Sequence, residues 1–286
     1  MNWQWAVLGH PITHSLSPQI HQAFAQQLGM KVRYDAIDVA PDGFAEHLER
    51  LIAQGYNGFN VTVPHKEHAS QWATHLSGRA SRATSVNVLF QDSERNNAWS
   101  GDTTDGSGLL YDLTQLQEIP LQGRRILLLG AGGAARGVME SLLHSYPATL
   151  AVWNRTPARA EALCEQFTMM AQQCSVSLLA LPAEQLAQPW DLVINATAAS
   201  LADSLPNIPE AAVLNSTACY DMVYGAKPTA FLDWTQSLGV SQRCDGLGML
   251  VGQAAESFYL WTGQRPHCEP VLTQLRETLA QRHRAQ

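Results

Sequence analysis

The 286-residue sequence has no apolar run approaching the roughly 20 residues that a membrane-crossing helix needs. Its start, Met1-Asn2-Trp3-Gln4, lacks the basic region that opens a secretory leader. Basic residues are few: 18 Lys and Arg stand against 25 Asp and Glu, a net charge of −7, and they are scattered rather than clustered. That distribution excludes the basic patch of a nucleic-acid-binding surface. The five cysteines, Cys164, Cys174, Cys219, Cys244 and Cys268, form an odd set with no Cys-x-x-Cys spacing. This argues against a disulfide frame or a thiolate zinc site and for reduced, mostly buried thiols in a cytoplasmic protein without metal. Internal repeats, low-complexity tracts and long linkers are absent as well. What remains is a globular composition, 45% apolar and 15% charged, in a chain long enough for about two domains.

The most informative stretch runs from Arg124 to Gly137. Ile126 to Leu129 is a short continuous apolar run, the pattern of a strand buried on both faces of a parallel sheet. Gly130, Gly132 and Ala135 then match G-x-G-x-x-G/A: a tight turn, a backbone free to approach a pyrophosphate, and close packing of helix on strand. Ala134 to Leu143 continues as a helix, so its free N–H groups would point at phosphates. The next strand, Thr149 to Trp153, ends at Asn154-Arg155-Thr156, with Pro157 in the first turn of the following helix. An NAD-binding unit would place Asp or Glu here for the ribose hydroxyls. Arg155 and Arg159 stand there instead, and guanidinium groups suit a 2′-phosphate that a carboxylate would repel. The spacing therefore points to NADP. The plainer alternative is that both are solvated helix-start residues.

Around this unit the chain alternates strands and helices, which predicts an α/β fold with a parallel sheet in its middle. Trp3 to Gly9 and Val32 to Asp38 read as strands, with a helix between them that Ser17 and Pro18 open as N-cap and first-turn residue. Ser15 and Ser17 either address a polyhydroxylated ligand or merely shape the turn and cap. Gly58 to Pro64 is a strand stopped by proline, with Lys66 just beyond it. A lone lysine is usually a solvated charge, but this one stands at a strand end beside Thr62. His65 and His68 read as surface or packing histidines. Ser85 to Leu89 reads as a strand with Asn87 inside it, where an amide needs a specific partner. Trp99 to Gly108 reads as turn-rich before a helix near Leu109, leaving Asp105 as either a helix cap or the partner of a cation. Further strands are expected at Ser175 to Leu179, Asp191 to Thr197 and Val213 to Tyr224. Asp245 to Gly248 reads as a loop, followed by helices from Met249 to Trp261 and from about Pro270 to Arg282.

Taken together, several segments resemble the shikimate dehydrogenase family. They are Ser15-Leu16-Ser17-Pro18, Asn60 to Lys66, Val86-Asn87, Thr104-Asp105-Gly106, Gly130 to Arg136 and Asn154-Arg155-Thr156. Asn195-Ala196-Thr197, Tyr220-Asp221-Met222 and Asp245 to Leu250 complete the set in order. The resemblance implies an N-terminal α/β substrate domain, residues 1–104, completed by C-terminal helices in 247–286. A Rossmann-type NADP-binding domain, 105–246, would lie between them. It implies Lys66 and Asp105 as the catalytic pair, with Ser15, Ser17, Thr62, Asn87 and Gln253 on the substrate. For the cofactor it implies Gly130, Ala131, Gly132, Gly133, Ala134, Asn154, Arg155, Thr156, Arg159, Thr197, Met222 and Gly246. The implied reaction is the reversible reduction of 3-dehydroshikimate to shikimate by NADPH, on the route to aromatic amino acids. The chemistry is coherent: an ammonium delivers a proton to a developing alkoxide, and hydroxyls and amides select a small polyol acid.

The chain departs from the family pattern at Thr84-Ser85, where a Gly-Ala pair is usual, and at Val88 and Thr103, where Thr and Asn are usual. Ala198-Ala199-Ser200 is a fourth departure. Alternative readings are a quinate or amino-shikimate paralogue and a non-catalytic NADP-binding regulatory module. The expected partner is a small-molecule substrate, with no nucleic acid or membrane, for a monomer or homodimer.

Overall fold

Two sheets of six strands each organise the chain, and each belongs to its own structural unit. The computed structural model describes residues 3–284, with side chains through 282. The first unit comprises the chain up to Asp105 together with Val251–Thr273; the second comprises Gly106–Leu250 and the chain from Gln274.

The first unit runs β1 (Trp3–Gly9), α1 (Ser17–Gln27), β2 (Val32–Asp38), α2 (Phe44–Ala53), β3 (Gly58–Val61), α3 (Lys66–Trp72), β4 (His75–Leu76), α4 (Gly78–Ala83), β5 (Val88–Asp92) and β6 (Ala98–Asp102). Its sheet has the order β2-β1-β3-β5-β6-β4, with β5 antiparallel to both neighbours and the remaining pairs parallel. Apolar residues at helical spacing in α2 (Phe44, Leu48, Leu51) bury against Leu8, Phe59, Val61 and Leu89 of the sheet. The unit is closed by the C-terminal part of the chain. Trp261 stacks 4.5 Å from Trp5, and its indole N–H donates to the Leu89 carbonyl at 3.1 Å. His21 of α1 is fully buried in the same aromatic group, 4.3 Å from the Tyr34 ring and nearly parallel to it. Burial pushes its imidazole down to about 3, so it packs as a neutral ring.

The second unit begins with α5 (Asp105–Tyr111), which starts on the last residue of the first unit and passes into a π-helical turn, Asp112–Leu116. It continues with β7 (Arg125–Leu129), α6 (Gly133–Leu143), β8 (Thr149–Trp153), α7 (Pro157–Gln173), β9 (Ser177–Ala180), β10 (Leu192–Asn195), β11 (Ala218–Asp221), α8 (Ala230–Ser237) and β12 (Gln242–Asp245). The strand order is β12-β11-β10-β7-β8-β9, parallel throughout. Order therefore reverses between β7 and β10, the doubly wound arrangement in which ligands bind beyond the carboxyl ends of the strands. Ile126 to Leu129 of β7 are fully buried, as their continuous apolar run requires. Two long helices follow, α9 (Leu247–Thr262) and α10 (Cys268–Arg284).

Several expectations are corrected. Ser17 is not the N-cap of α1: Leu16 holds that position without a side-chain bond, and the Ser17 N–H donates to Ser15 Oγ at 3.2 Å. Asn87 stands just ahead of β5 rather than inside a strand. The stretch expected to be turn-rich holds β6, and α5 starts at Asp105 rather than Leu109. The expected loop at Asp245 is the end of β12, with α9 starting at Leu247. In the second unit, Leu247–Leu250 and the chain from Gln274 group with the parallel sheet. There, the Met249 N–H donates to Asp112 at 2.9 Å, and Arg276 forms a two-point ion pair with Asp245. Among the described residues no helix is long and apolar enough to cross a membrane, and all five cysteines are free thiols.

A histidine kept neutral by burial makes folding pH-dependent. The unfolded chain takes up a proton below about 6.5 that the native chain refuses until about 3. This contribution is complete above pH 6.5 and is lost as pH falls through that window. His21→Phe, which keeps an aromatic ring there, should therefore lose less stability than the parent between about pH 7 and about pH 5, as read from urea midpoints.

Candidate active site

In the first unit, the end of β3 and the start of α3 place Lys66. The Thr62 N–H donates to the Leu8 carbonyl and the His65 N–H to the Thr62 carbonyl, both at 2.9 Å, which turns the chain into α3 with Lys66 as its first residue. Lys66 Nζ forms an ion pair with Asp105 Oδ2. The two side chains are only 16% and 8% exposed, so water screens the pair weakly. Asp105 is thus the partner of a cation as well as a first-turn residue of α5.

Asn87 ties this pair to the substrate-type residues. Its amide Nδ2 donates to Asp105 Oδ1 at 2.8 Å and to Thr104 Oγ1 at 2.9 Å, and its Oδ1 accepts the Thr104 N–H at 2.8 Å. Gln253 Oε1 of α9 lies 3.2 Å from Asn87 Nδ2 and 3.3 Å from Thr104 Oγ1. One turn further along α9, Ser257 Oγ accepts from Asn60 Nδ2 at 3.0 Å and sits 3.3 Å from Thr104 Oγ1. Asn60 accepts the Tyr34 hydroxyl at 2.8 Å, and the Ser17 side chain is a hydrogen-bonding neighbour of that same hydroxyl. Lys66, Asp105, Asn87 and Gln253 therefore form one bonded cluster, joined to Ser17 through Tyr34 and Asn60. Ser15 is attached through the Ser17 N–H. Thr62 sets its methyl over Gly9, where any Cβ would collide with it.

The second unit gathers the dinucleotide-type residues. Gly130 has φ +110°, and a Cβ there would lie 3.0 Å from the Ala196 carbonyl oxygen, so the turn admits only glycine. At Gly132 and Gly133 nothing lies within 4 Å of a Cβ position, which leaves open space directly before the N-terminus of α6. Ala131 and Ala135 are buried, and Ala134 is half-buried at the helix start. Asn154 donates to the Thr156 carbonyl at 2.9 Å and shapes the turn after β8, where Arg155 and Arg159 are exposed. Arg136 of α6 is held below the usual guanidinium range by burial first and by the nearby Arg159 charge second. An open space before a helix N-terminus, with cationic side chains close by, fits the phosphates of a dinucleotide.

At the carboxyl ends of β10 and β11, Thr197 donates to Asn195 Oδ1 at 2.7 Å, and Asn195 Nδ2 donates to Ser200 and Asp221. Asp221 is fully buried and accepts hydroxyl bonds from Ser200 and Thr229, both at 2.6 Å. Burial raises its carboxyl above the usual range, and those hydroxyls partly offset it. The Met222 N–H donates to the Asn195 carbonyl at 3.0 Å, and Gly246 packs so closely on the Met222 carbonyl that no Cβ fits. His65 is buried, stacked on Phe44 and bonded to the Val39 carbonyl at 2.7 Å, a packing role; His68 is exposed beside it. Among the described residues no group of three metal-ligating side chains gathers.

Sequence reasoning left Tyr34, Thr104 and Ser257 without a site role. Ser257 had a usable signal, since it follows Gln253 by four residues on a helix and so shares its face. Tyr34 had none, because nothing in the sequence brings β2 to Asn60.

A parallel doubly wound sheet with a glycine turn at its switch point, joined to a unit carrying a partly buried Lys-Asp pair, defines a two-unit dinucleotide-binding α/β protein. Residues 7–89 match the shikimate dehydrogenase substrate binding domain, 112–205 the shikimate / quinate 5-dehydrogenase family and 246–276 the shikimate 5′-dehydrogenase C-terminal domain. More narrowly, then, the chain belongs to the shikimate dehydrogenase family. The shikimate dehydrogenase (NADP(+)) of Alkalilimnicola ehrlichii is 45% identical over 276 residues, 96% of this chain and 99% of that one. Its counterpart from Vibrio cholerae is 48% identical over 278 residues, 96% of each. The crystal structure of shikimate 5-dehydrogenase from Thermus thermophilus in complex with NADP(H) and shikimate superposes with a TM-score of 0.82. That protein is 33% identical over 97% of this chain and 100% of its own. The Ael1 enzyme from Pseudomonas putida gives a TM-score of 0.88 at 37% identity, covering 96% of this chain and 98% of that one.

The departures at Thr84 and Ser85 have a structural consequence. Thr84 ends α4 with φ 47°, a left-handed conformation in which a β-branched residue is strained, and the Ser85 hydroxyl is buried without a partner. Thr84→Gly should stabilise the protein by roughly 1 kcal/mol, since the cost of a left-handed Cβ exceeds the added chain entropy of glycine. The melting temperature should rise by about 2–4 °C.

Proposed function

We propose that this chain catalyses the reversible reduction of 3-dehydroshikimate to shikimate with NADPH, a step toward the aromatic amino acids. The observation that carries the reading is the joining of Lys66, Asp105, Asn87 and Gln253 into one partly buried bonded cluster. It occurs in a chain 45% identical to a protein named shikimate dehydrogenase (NADP(+)). In this reading the first unit binds substrate and the second binds NADP.

Lys66 and Asp105 act as the catalytic pair. Lys66 donates a proton to the substrate carbonyl oxygen as negative charge develops there, and Asp105 holds the ammonium in line. In the reverse direction the same pair removes the proton from the hydroxyl. Ser15, Ser17 and Thr62 supply hydroxyls, and Asn87 and Gln253 supply amides, for the carboxylate and ring hydroxyls of the substrate. A site built of such donors and acceptors rejects analogues that lack the hydroxyls, because its own polar groups would then be left unpaired.

NADPH supplies the hydride when bound. The segment Gly130, Ala131, Gly132, Gly133 and Ala134 leaves room for its pyrophosphate at the α6 N-terminus. Asn154, Arg155, Thr156 and Arg159 would hold the 2′-phosphate, and Thr197, Met222 and Gly246 the nicotinamide end. Free cysteines suit a reducing, cytoplasmic setting, in which the enzyme works as a monomer or homodimer on a small-molecule substrate.

The direct test is reduced-nicotinamide absorbance with shikimate or quinate as substrate and NADP⁺ or NAD⁺ as oxidant. Turnover with shikimate and NADP⁺ is expected; preference for quinate would change the substrate, and silence with every pair would remove the enzymatic reading. Lys66→Ala should lower kcat by about 10²- to 10⁴-fold while leaving shikimate affinity nearly intact. Replacing Arg155 and Arg159 together with Ala should raise the KM for NADP⁺ by about tenfold or more and leave that for NAD⁺ nearly unchanged.

A further inference from the structure

We propose that Arg79 and Asp102 form a positioning pair that holds the segment Thr103–Asp105 in register with Lys66. The proposal rests on the reading of Lys66 and Asp105 as the reacting pair. Asp102 is the last residue of β6, and its side chain is only 8% exposed. Arg79 Nε donates to its Oδ1 at 2.7 Å and the terminal Nη2 to its Oδ2 at 2.8 Å, a bidentate fork. Two further donors reach the same carboxylate: the Ser77 hydroxyl, and the Thr103 N–H at 2.7 Å.

The backbone of Asp102 is engaged as well, since its carbonyl accepts the Asn87 N–H at 3.0 Å. Two residues later the Thr104 N–H donates to Asn87 Oδ1, and Asp105 follows. Asp102 is thereby tied to Arg79, Ser77 and Asn87, Thr103 to the Asp102 carboxylate, and Thr104 to Asn87. Ser77 serves twice, because its oxygen also caps α4 by accepting the Ala80 N–H at 3.1 Å. The same Nη2 of Arg79 lies 3.7 Å from Glu256 Oε1, and Glu256 Oε2 accepts from Arg265 at 2.7 Å. Glu256 stands between Gln253 and Ser257 on α9, so the same guanidinium also faces the helix that carries the substrate-type amide.

A partly buried ion pair gives little net stability, because desolvation offsets most of the attraction. What a bidentate pair does give is a fixed angle and distance. Loss of either partner would free the turn between β6 and α5 to shift, and a displacement of about 1 Å at a reacting group costs on the order of 10²-fold in rate.

The test uses Asp102→Asn and the milder Arg79→Lys, which keeps the charge but loses the fork. Two readouts are taken on folded protein. The first is kcat and KM for shikimate and NADP⁺. The second is the labelling of Lys66 by limiting acetic anhydride, with the other two lysines, Lys31 and Lys227, as internal references. An ammonium released from its ion pair labels faster. The expected result is a fall in kcat of about 10²-fold with KM values nearly unchanged, together with faster labelling of Lys66 relative to Lys31 and Lys227. A loss of melting temperature with kcat unchanged, or with labelling unchanged, would overturn the proposal. If the parent protein fails to turn over shikimate, the functional reading fails by itself, and the labelling ratio alone decides whether Arg79 and Asp102 hold the Lys66–Asp105 pair.

Discussion

The buried amide of Asn87 is the constraint on which the first unit's site depends. A buried amide left unpaired costs about 1–3 kcal/mol, and this one is satisfied by groups from two distant parts of the chain. Thr104 and Asp105 come from the β6–α5 junction, and Gln253 lies 166 residues away on α9. Its backbone is equally committed, giving its N–H to Asp102 and receiving the N–H of Val61 at its carbonyl. The closing of the unit by residues near the C-terminus and the orientation of Asp105 toward Lys66 are thus one event. The polar chain through Ser257, Asn60 and Tyr34 extends that order to β2.

A different constraint governs the second unit. Its parallel sheet brings backbone to backbone beyond the carboxyl ends of its strands, and glycine is required where that happens: Gly130 against Ala196 at the switch point, and Gly246 against Met222 beyond β11 and β12. Around these contacts a buried carboxylate, Asp221, gathers the hydroxyls of Ser200 and Thr229 and the amide of Asn195. Ser200, one of the departures from the family pattern, is therefore a working part of the network that anchors the loop after β10.

How much was legible follows from burial. Strands of the second sheet that are covered on both faces, such as β7 and β10, announce themselves as continuous apolar runs. β12, Gln-Arg-Cys-Asp, lies at the sheet edge and carries polar residues, so no apolar run marks it as a strand. β6 is hidden for another reason: Gly101 and Asp102 are turn-forming residues, and only pairing with β5 makes them strand. Ser17-Pro18 has the form of a helix start, yet the cap geometry falls one residue earlier and leaves the Ser17 hydroxyl for Tyr34.

The glycine turn with its strand and helix, the arginines after β8, and the residue types at Lys66, Asn87, Asp105 and Gln253 were determined by the sequence alone. These depend on local backbone geometry and on short motifs, which a linear chain displays directly. Tertiary structure alone decided that Asp105 is bonded rather than a bare cap, that Asn87 is the centre of the cluster, and that Arg79 stands behind Asp102. Those are contacts between segments separated by tens of residues or more. Their partners are chosen by sheet register and by which buried polar groups must be satisfied, and neither is written in the order of residues along the chain.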